Sequence, residues 1–509
     1  MAKITYEDRA RLFDPLDRDR DLDERQLRVI RSARLSGLRF KRRNSRQIKN
    51  LPPKIKRAIV GQNRAAISRQ RAIVQAARRK AVASNKGSIQ HESVDAQLMI
   101  SRYRRSILLD GLVQGRDQKW KAFSKRLRTR KSQHIEIENF SFVDAPRRTM
   151  EALSRIAHAE TECLQVSMDF LEERCLDVGP WLLLAIMRKD MAPVIEGAFM
   201  HQSLSKVISE LKLDRSIGIV LNKTWPTPTP DVWAFPVEER RASGSTDDAT
   251  PHLRPQTIEK VGTNMVKAIN HWLKQCVEDQ NLTVHGQKLI LKIVGETLDN
   301  AERHSRPDLG TAADGEWMVS GFMARRNSEA GDQYLRCHLA FLSIGTSIAD
   351  SIKDCPLEIA EKMGDYVSLH RSHLGRMKYA DAHLRTVYAL QDGVTRDERA
   401  FSEDRSGSGF GSILAFFKDL AGADGDKLDA TLSIVSGNTC LRIPYDLAPE
   451  FLGVHGETRN IWLNESNDGK IPPHHDAVIE LERRLNGTLI TMAFNLDADY
   501  LKRTADAPD

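Results

Sequence analysis

The sequence predicts a mixed α/β (α+β) protein, and three observations carry that expectation. Short alternating apolar runs are interleaved with helical stretches across 134–222. Two long helical patterns come before mostly consecutive strands across 256–509. Residues 1–133 keep helical apolar spacing, few β-branched runs and dense Lys and Arg. The chain's 509 residues suit two to four domains. With 40% hydrophobic and 29% charged residues, it holds enough apolar material for ordinary cores, which excludes wholesale disorder.

The expected organisation is a basic helical segment at 1–133, a small α/β domain at 134–222, a Pro-rich linker at 223–255 and a larger α/β domain at 256–509. In the first, Asp21 to Lys41 and Lys54 to Lys80 carry apolar residues at helical spacing, and Pro52 and Pro53 separate them. A third block, Asp95 to Leu127, follows. In the second, HIEIENFSFV reads as a strand, TMEALSRIAHA as a helix and CLQVSMDF as a strand. WLLLAIMRKDM and QSLSKVISELK read as helices, and RSIGIVLN as a strand. Six prolines and a Gly-Ser-Thr-Asp cluster mark 223–255. Helices are expected at about Gln256 to Gln280 and Gly286 to His304, then strands EWMVSGFMARR, YLRCHLAFLSIG, ATLSIVSGNTCLRI and GTLITMAFNL.

Charge divides the chain. Residues 1–133 hold 36 Lys and Arg against 12 Asp and Glu, a balance of +24, while the remainder stands at −16. Such a patch neutralises phosphates and releases counterions, so nucleic acid is the favoured partner, with Arg64, Arg71, Arg78 and Arg79 as candidate contacts. An acidic protein partner is the competing reading, and a solvated face the plainest one. No membrane contact is expected, since these helices lack a strong Trp/Phe/Leu face. The longest apolar stretch, WLLLAIM at 181–187, is too short to span a bilayer. The acidic MAKITYEDRARLFDPLDRDRD has no apolar h-region, so no targeting peptide and a cytoplasmic setting are expected. Six scattered cysteines without a C-x-x-C pair read as buried free thiols.

Three short motifs carry chemistry. In IVGETLDNAERHS at 293–305, Glu296 and Asn300 share one helix face. A carboxylate and a carboxamide placed so could polarise a water and complete the shell of a phosphate-bound Mg²⁺, although the spacing also occurs on ordinary solvated helices. LSIGTSI at 342–348 sets Gly345 just after an apolar strand. RSGSGFGSILAFFKDL opens with Gly407, Gly409 and Gly411 and runs into an apolar helix, whose N-terminal N–H groups and dipole suit phosphate. No G-K-[ST] pattern or ribose-binding acid accompanies them, so P-loop and Rossmann readings fit poorly.

Taken in order, these motifs resemble the GHKL ATPases, which include histidine kinases, gyrase B, MutL and heat-shock chaperones. Glu296 and Asn300, with Ala301 and His304, match the N box; Gly345 to Ile348, including Ser347, match the first glycine box. Gly407 to Ile413 match the second, and Gly487 with Thr488 match the closing strand near the adenine. The resemblance covers roughly 256–500 and implies a Bergerat-type α/β sandwich holding ATP and Mg²⁺ under a lid drawn from 353–406. It implies Glu296 as general base, Asn300 as Mg²⁺ ligand, and Asn300, His304, Ser343, Gly345, Ser347, Gly407, Gly409, Gly411 and Thr488 as ATP contacts. Ser343 departs from the family's adenine-binding aspartate and lacks its charge. GHKL proteins often dimerise, so a homodimer is a further expectation.

VSMDFLEERCLDVGPWLLLAIM at 166–187 resembles the STAS fold of anti-anti-sigma factors, with Asp169 and Asp177 at that family's acidic positions. The phosphoacceptor serine of its turn is absent, since Asp177, Val178, Gly179 and Pro180 stand there. His91, His158 and His271 lack the setting of a kinase phosphoacceptor and read as packing or surface residues. The expected function is an ATP-binding, slowly hydrolysing GHKL-type switch that couples nucleotide state to a partner or nucleic acid, by analogy in bacterial signalling or antiviral defence. The alternatives are a non-catalytic scaffold with a degenerate pocket and an anti-sigma-type protein kinase.

Overall fold

The computed structural model describes residues 106–125, 133–163, 166–191, 194–217, 219, 221, 225, 229, 231–240, 257–276, 278, 280–304, 316–327, 333–371, 379–396, 401, 409–422, 429–448 and 460–496. Within them stand α1 (Ile107–Leu112), α2 (Arg116–Lys125), β1 (Gln133–Ile137), α3 (Pro146–Ala159), β2 (Val166–Phe170), α4 (Gly179–Asp190), β3 (Ile195–Met200), α5 (Gln202–Glu210) and α6 (Leu213–Ile217). Then come β4 (Val232–Arg240), α7 (Ile258–Cys276), α8 (Val284–His304), β5 (Glu316–Asn327), β6 (Gln333–Ile344), α9 (Ile348–Ser351), α10 (Leu357–Arg371), α11 (Asp381–Tyr388), α12 (Gly409–Ala421), β7 (Thr431–Pro444) and β8 (Val478–Leu496). Both sheets, α1 and the elements from α3 onward lie in one compact unit, and α2 belongs to a second. The mixed α/β expectation is met. The first two helices expected in 1–133 lie outside the described residues.

β1, β2 and β3 form a parallel sheet in that order, linked by α3 and α4. One face is open: His134, Glu136, Ser167 and Asp169 alternate outward, and Phe199 is exposed. There His134 Nδ1 lies 2.8 Å from Ser167 Oγ, and its Nε2 is 3.3 Å from Asp169. The other face packs on α3 and α4. Every residue of α4 from Gly179 to Met187 is buried, as suits a helix that is apolar all round. Trp181 packs on Phe170 of β2 at 4.5 Å between ring centres, while α4 also rests on β5, β6 and β8.

The larger sheet is antiparallel throughout, with strand order β4-β5-β6-β8-β7. α3 and α4 cover one face. On the other, Trp317, Val319, Met323, Cys337, Leu339, Phe341, Ile434, Ile490 and Met492 meet the apolar stripes of α7, α8 and α12 in one core. α7 lies beside β4, α8 over β5 and β6, and α12 over β8.

Several elements differ from expectation. Val232–Arg240, expected within a linker, is the edge strand β4. Its Pro236 falls inside the register shift between Phe235 and Glu238, where no ladder N–H is required. Ser320 Oγ donates to the Phe235 carbonyl at 2.9 Å beside that shift. The strand expected from RSIGIVLN is replaced at its start by α6, and Ile195–Met200 supplies the third parallel strand instead. β8 begins at Val478, well before the expected GTLITMAFNL. The stretch expected to form a lid, 353–406, holds two packed helices: Ile359, Met363, Tyr366, Val367, Leu384 and Val387 are buried in the main core. Residues 372–378, 397–400 and 402–406 of that stretch lie outside the described residues. Five described cysteines are free thiols.

Candidate functional site

Glu302, near the end of α8, fixes where that helix meets the sheet. Its Oε1 accepts from Trp317 Nε1 at 3.0 Å and from Arg240 Nη1 at 2.6 Å. Arg240, Trp317, Ser343, Thr488 and Ser436 stand in register across all five strands. The C-terminal end of α8 therefore lies at the end of the sheet that carries Ser343 and Thr488.

Helical geometry then sets the direction of the motif residues. At about 100° per residue, Glu296 and Asn300 project from the flank opposite Glu302. Glu302 faces β4 and β5, so Glu296 and Asn300 lie on the flank away from those strands. α12 packs against α8, with Asp419 near its C-terminal end: burial raises that carboxyl's pKa, and His285, at the start of α8, acts against the rise. Asn300 is exposed and Glu296 half-buried, with Lys292 Nζ 3.7 Å from Glu296 Oε1. Thr297 Oγ1 on α8 and Ser412 Oγ on α12 are buried hydroxyl oxygens with no hydrogen-bond partner.

The glycine turn after β6 closes this end of the sheet. Gly345, at φ 148°, donates its N–H to the Asn486 carbonyl at 3.1 Å. Gly487, at φ 140°, lies against Ser343: a Cβ there would come within 2.1 Å of the Ser343 carbonyl oxygen. Only glycine supplies both that dihedral and that approach. Ser343 and Thr488 are half-buried, and Ser343 Oγ reaches the Thr488 carbonyl at a long 3.4 Å. Ser436, a residue that the sequence motifs do not include, is buried beneath them. Its Oγ donates to the Gly487 carbonyl at 2.9 Å, accepts from Ile348 N at 2.9 Å and lies 3.0 Å from Thr488 Oγ1. Its signal in the sequence is slight, a Ser-Gly pair closing the apolar run TLSIV, and the register of β7 is needed to place it.

Ser347 is placed differently from the other candidates. It is buried as the N-cap of α9, its Oγ donating to Asp350 Oδ2 at 2.7 Å and accepting from Arg484 Nη2 at 3.2 Å. Arg484 also pairs with Asp350. His304 ends α8. Gly407, Arg64, Arg71, Arg78 and Arg79 lie outside the described residues. Of the two acids singled out in the smaller layer, Asp169 lies on the open sheet face. Asp177 is buried, and accepts from Phe142 N and Gly179 N, each at 2.8 Å, and from Thr491 Oγ1 of β8.

Among the described residues, one grouping gathers metal-type ligand atoms within 4.8 Å of one another: His474, His475 and Asp476, all exposed. It lies in the segment before β8 and shares no residue with the site above. No described helix is long and apolar enough to cross a membrane. No family model, no curated protein and no solved structure matches this chain.

Proposed function

We propose that residues 256–509 form a GHKL-type, Bergerat-like ATP-binding domain that hydrolyses ATP slowly and uses nucleotide state to change partner engagement. The reading is supported by one placement: the C-terminal end of α8, which carries Asn300, stands at the end of the five-stranded sheet that holds the Ser343–Thr488–Ser436 row, and the glycine-opened α12 packs on the same helix. The residues fit the ligand. A carboxamide and a carboxylate on one helix flank supply hard oxygens of the kind Mg²⁺ takes. The first turn of α12 offers N–H groups and a positive dipole end to phosphate.

In this reading Asn300 holds Mg²⁺ and Gly409 and Gly411 approach the phosphates by backbone, while Ser343 and Thr488 face the base. Mg²⁺ supplies charge neutralisation to the phosphate oxygens. Glu296 takes a proton from water as the water oxygen bonds to the terminal phosphorus, and that phosphorus parts from the oxygen left on ADP. The smaller layer is read as STAS-like, and the basic segment as the arm that meets nucleic acid or an acidic protein. A degenerate, non-catalytic pocket is the second reading, favoured by the uncharged Ser343 at the base position.

Mg²⁺-dependent ATP binding and phosphate release separate the two readings. A working site gives turnover in the wild type, binding without release in Glu296→Ala, and loss of both in Asn300→Ala. Losing general base catalysis should slow release by about 10²-fold or more. A wild-type chain that neither binds nor hydrolyses ATP overturns the proposal.

A further inference from the structure

We propose that Ser436 selects the nucleobase by fixing which way the Thr488 hydroxyl points its proton. The inference rests on the nucleotide reading above. It concerns a buried β7 residue that no motif includes, standing where β7 begins to shift register on β8.

The argument is an accounting of protons. A carbonyl oxygen only accepts, so the Ser436 hydroxyl, 2.9 Å from the Gly487 carbonyl, spends its one proton there. Ile348 N–H donates into the same oxygen at 2.9 Å. Thr488 Oγ1, 3.0 Å away, must then be the donor in its own contact with Ser436. That leaves Thr488 Oγ1 with lone pairs alone to offer a ligand. Ser343, opposite Thr488 in the register, makes only a 3.4 Å contact and turns freely as donor or acceptor.

The pair therefore presents a fixed acceptor beside an adjustable hydroxyl. A 6-aminopurine edge has an exocyclic N–H donor next to the N1 acceptor, which matches both groups. A 6-oxopurine sets its oxygen against the Thr488 lone pairs and leaves its own N1–H to be satisfied elsewhere. Through this relay a neutral threonine gains the acceptor polarity that a carboxylate would have by charge. Ser436 acts through Thr488, so it is a positioning residue.

The test compares ATP with inosine triphosphate, which differ only in the 6-substituent and the proton on N1, as Mg²⁺ complexes titrated against the full chain. Wild type should prefer ATP by about tenfold, the size of one neutral hydrogen bond. Ser436→Ala frees the Thr488 proton to turn outward, and the ratio should fall to within about threefold, roughly half that hydrogen-bond energy. Ser436→Thr keeps a hydroxyl and should restore the preference, which a merely structural role would not explain. Should Ser436→Ala fail to fold, Thr488→Val, which removes the acceptor from a half-buried position, should collapse the same ratio. Equal binding of the two nucleotides by wild type, or an unchanged ratio in Ser436→Ala, overturns the inference while leaving nucleotide binding intact. Binding of neither nucleotide by wild type overturns the functional reading itself, and this inference with it.

Discussion

Gly487 holds β8 against the turn that follows β6, and it does so by having no side chain. A methyl group there would overlap the Ser343 carbonyl and touch Ile344 Cα at 3.0 Å, and both atoms are backbone with no rotamer by which to yield. Its φ of 140° adds strain for any other residue. Gly487→Ala should cost ~3 kcal/mol, combining the dihedral and overlap penalties. Urea unfolding checks it, and a loss below about 0.5 kcal/mol would mean the two strands part without difficulty. Ser436, one strand away, shows why residue-scale reading stops where it does. The glycines around the site announce themselves through composition. A serine inside a wholly buried strand does so only once the register has put it beside Thr488.

At the scale of elements, Asp177 ties the turn before α4, the loop before α3 and the middle of β8 to one buried carboxylate. Burial raises its pKa from 3.8 to about 6, against its three hydrogen bonds, which pull the other way. Between those two values the folded chain binds a proton that the unfolded chain has released. Stability from this group therefore falls as pH rises from about 4 to about 6, and the cost is fully present above that. Urea midpoints of wild type measured against Asp177→Asn should show wild type losing ground over this window. Asp177→Asn should also be less stable at pH 4, since its amide turns a donor toward Phe142 N, Gly179 N or Thr491 Oγ1. A pH-independent difference would place the carboxyl's proton elsewhere.

Legibility in the sequence followed period and punctuation. α7, α8 and β5 to β7 carry strong repeats and stand close to where the sequence sets them. β4 was hidden by Pro236 and the prolines before it, because the rule against proline in strands relaxes at an edge and within a register shift. β3, with Gly197 and Ala198 at its centre, has too little side chain to alternate. The first half of β8 carries Glu480, Glu482, Arg483 and Arg484, so its polar face masked a strand that is apolar on the other. Glu296, Asn300, Gly345 and Thr488 were legible as motifs. That the end of α8 carrying Asn300 and the Thr488 row share one end of the sheet needed the contacts of Glu302.

For the whole molecule, the division of charge makes its own prediction. With a balance of +24 over 1–133, the full chain should bind duplex nucleic acid with little sequence preference. The logarithm of affinity should fall linearly with the logarithm of salt. Replacing Arg64, Arg71, Arg78 and Arg79 together by alanine should shallow that slope by about 0.9 for each phosphate no longer neutralised. Fluorescence anisotropy across a salt series measures it, and an unchanged slope would remove these arginines from the interface. Comparing slopes with and without ATP would show whether the two ends of the chain communicate.

The position of β8 sets a timetable. Made after both of its neighbours, it pairs between β6 and β7. Until it emerges from the ribosome, β6 exposes a bare edge and β7 has no strand to pair with, so the large sheet stops at β6. Asp177 has no Thr491 to accept from in that interval, and Ser436 has no Gly487 carbonyl. Insertion of this one strand therefore completes the sheet, ties the smaller layer to it through Asp177 and assembles the Ser343–Thr488–Ser436 row in a single late step.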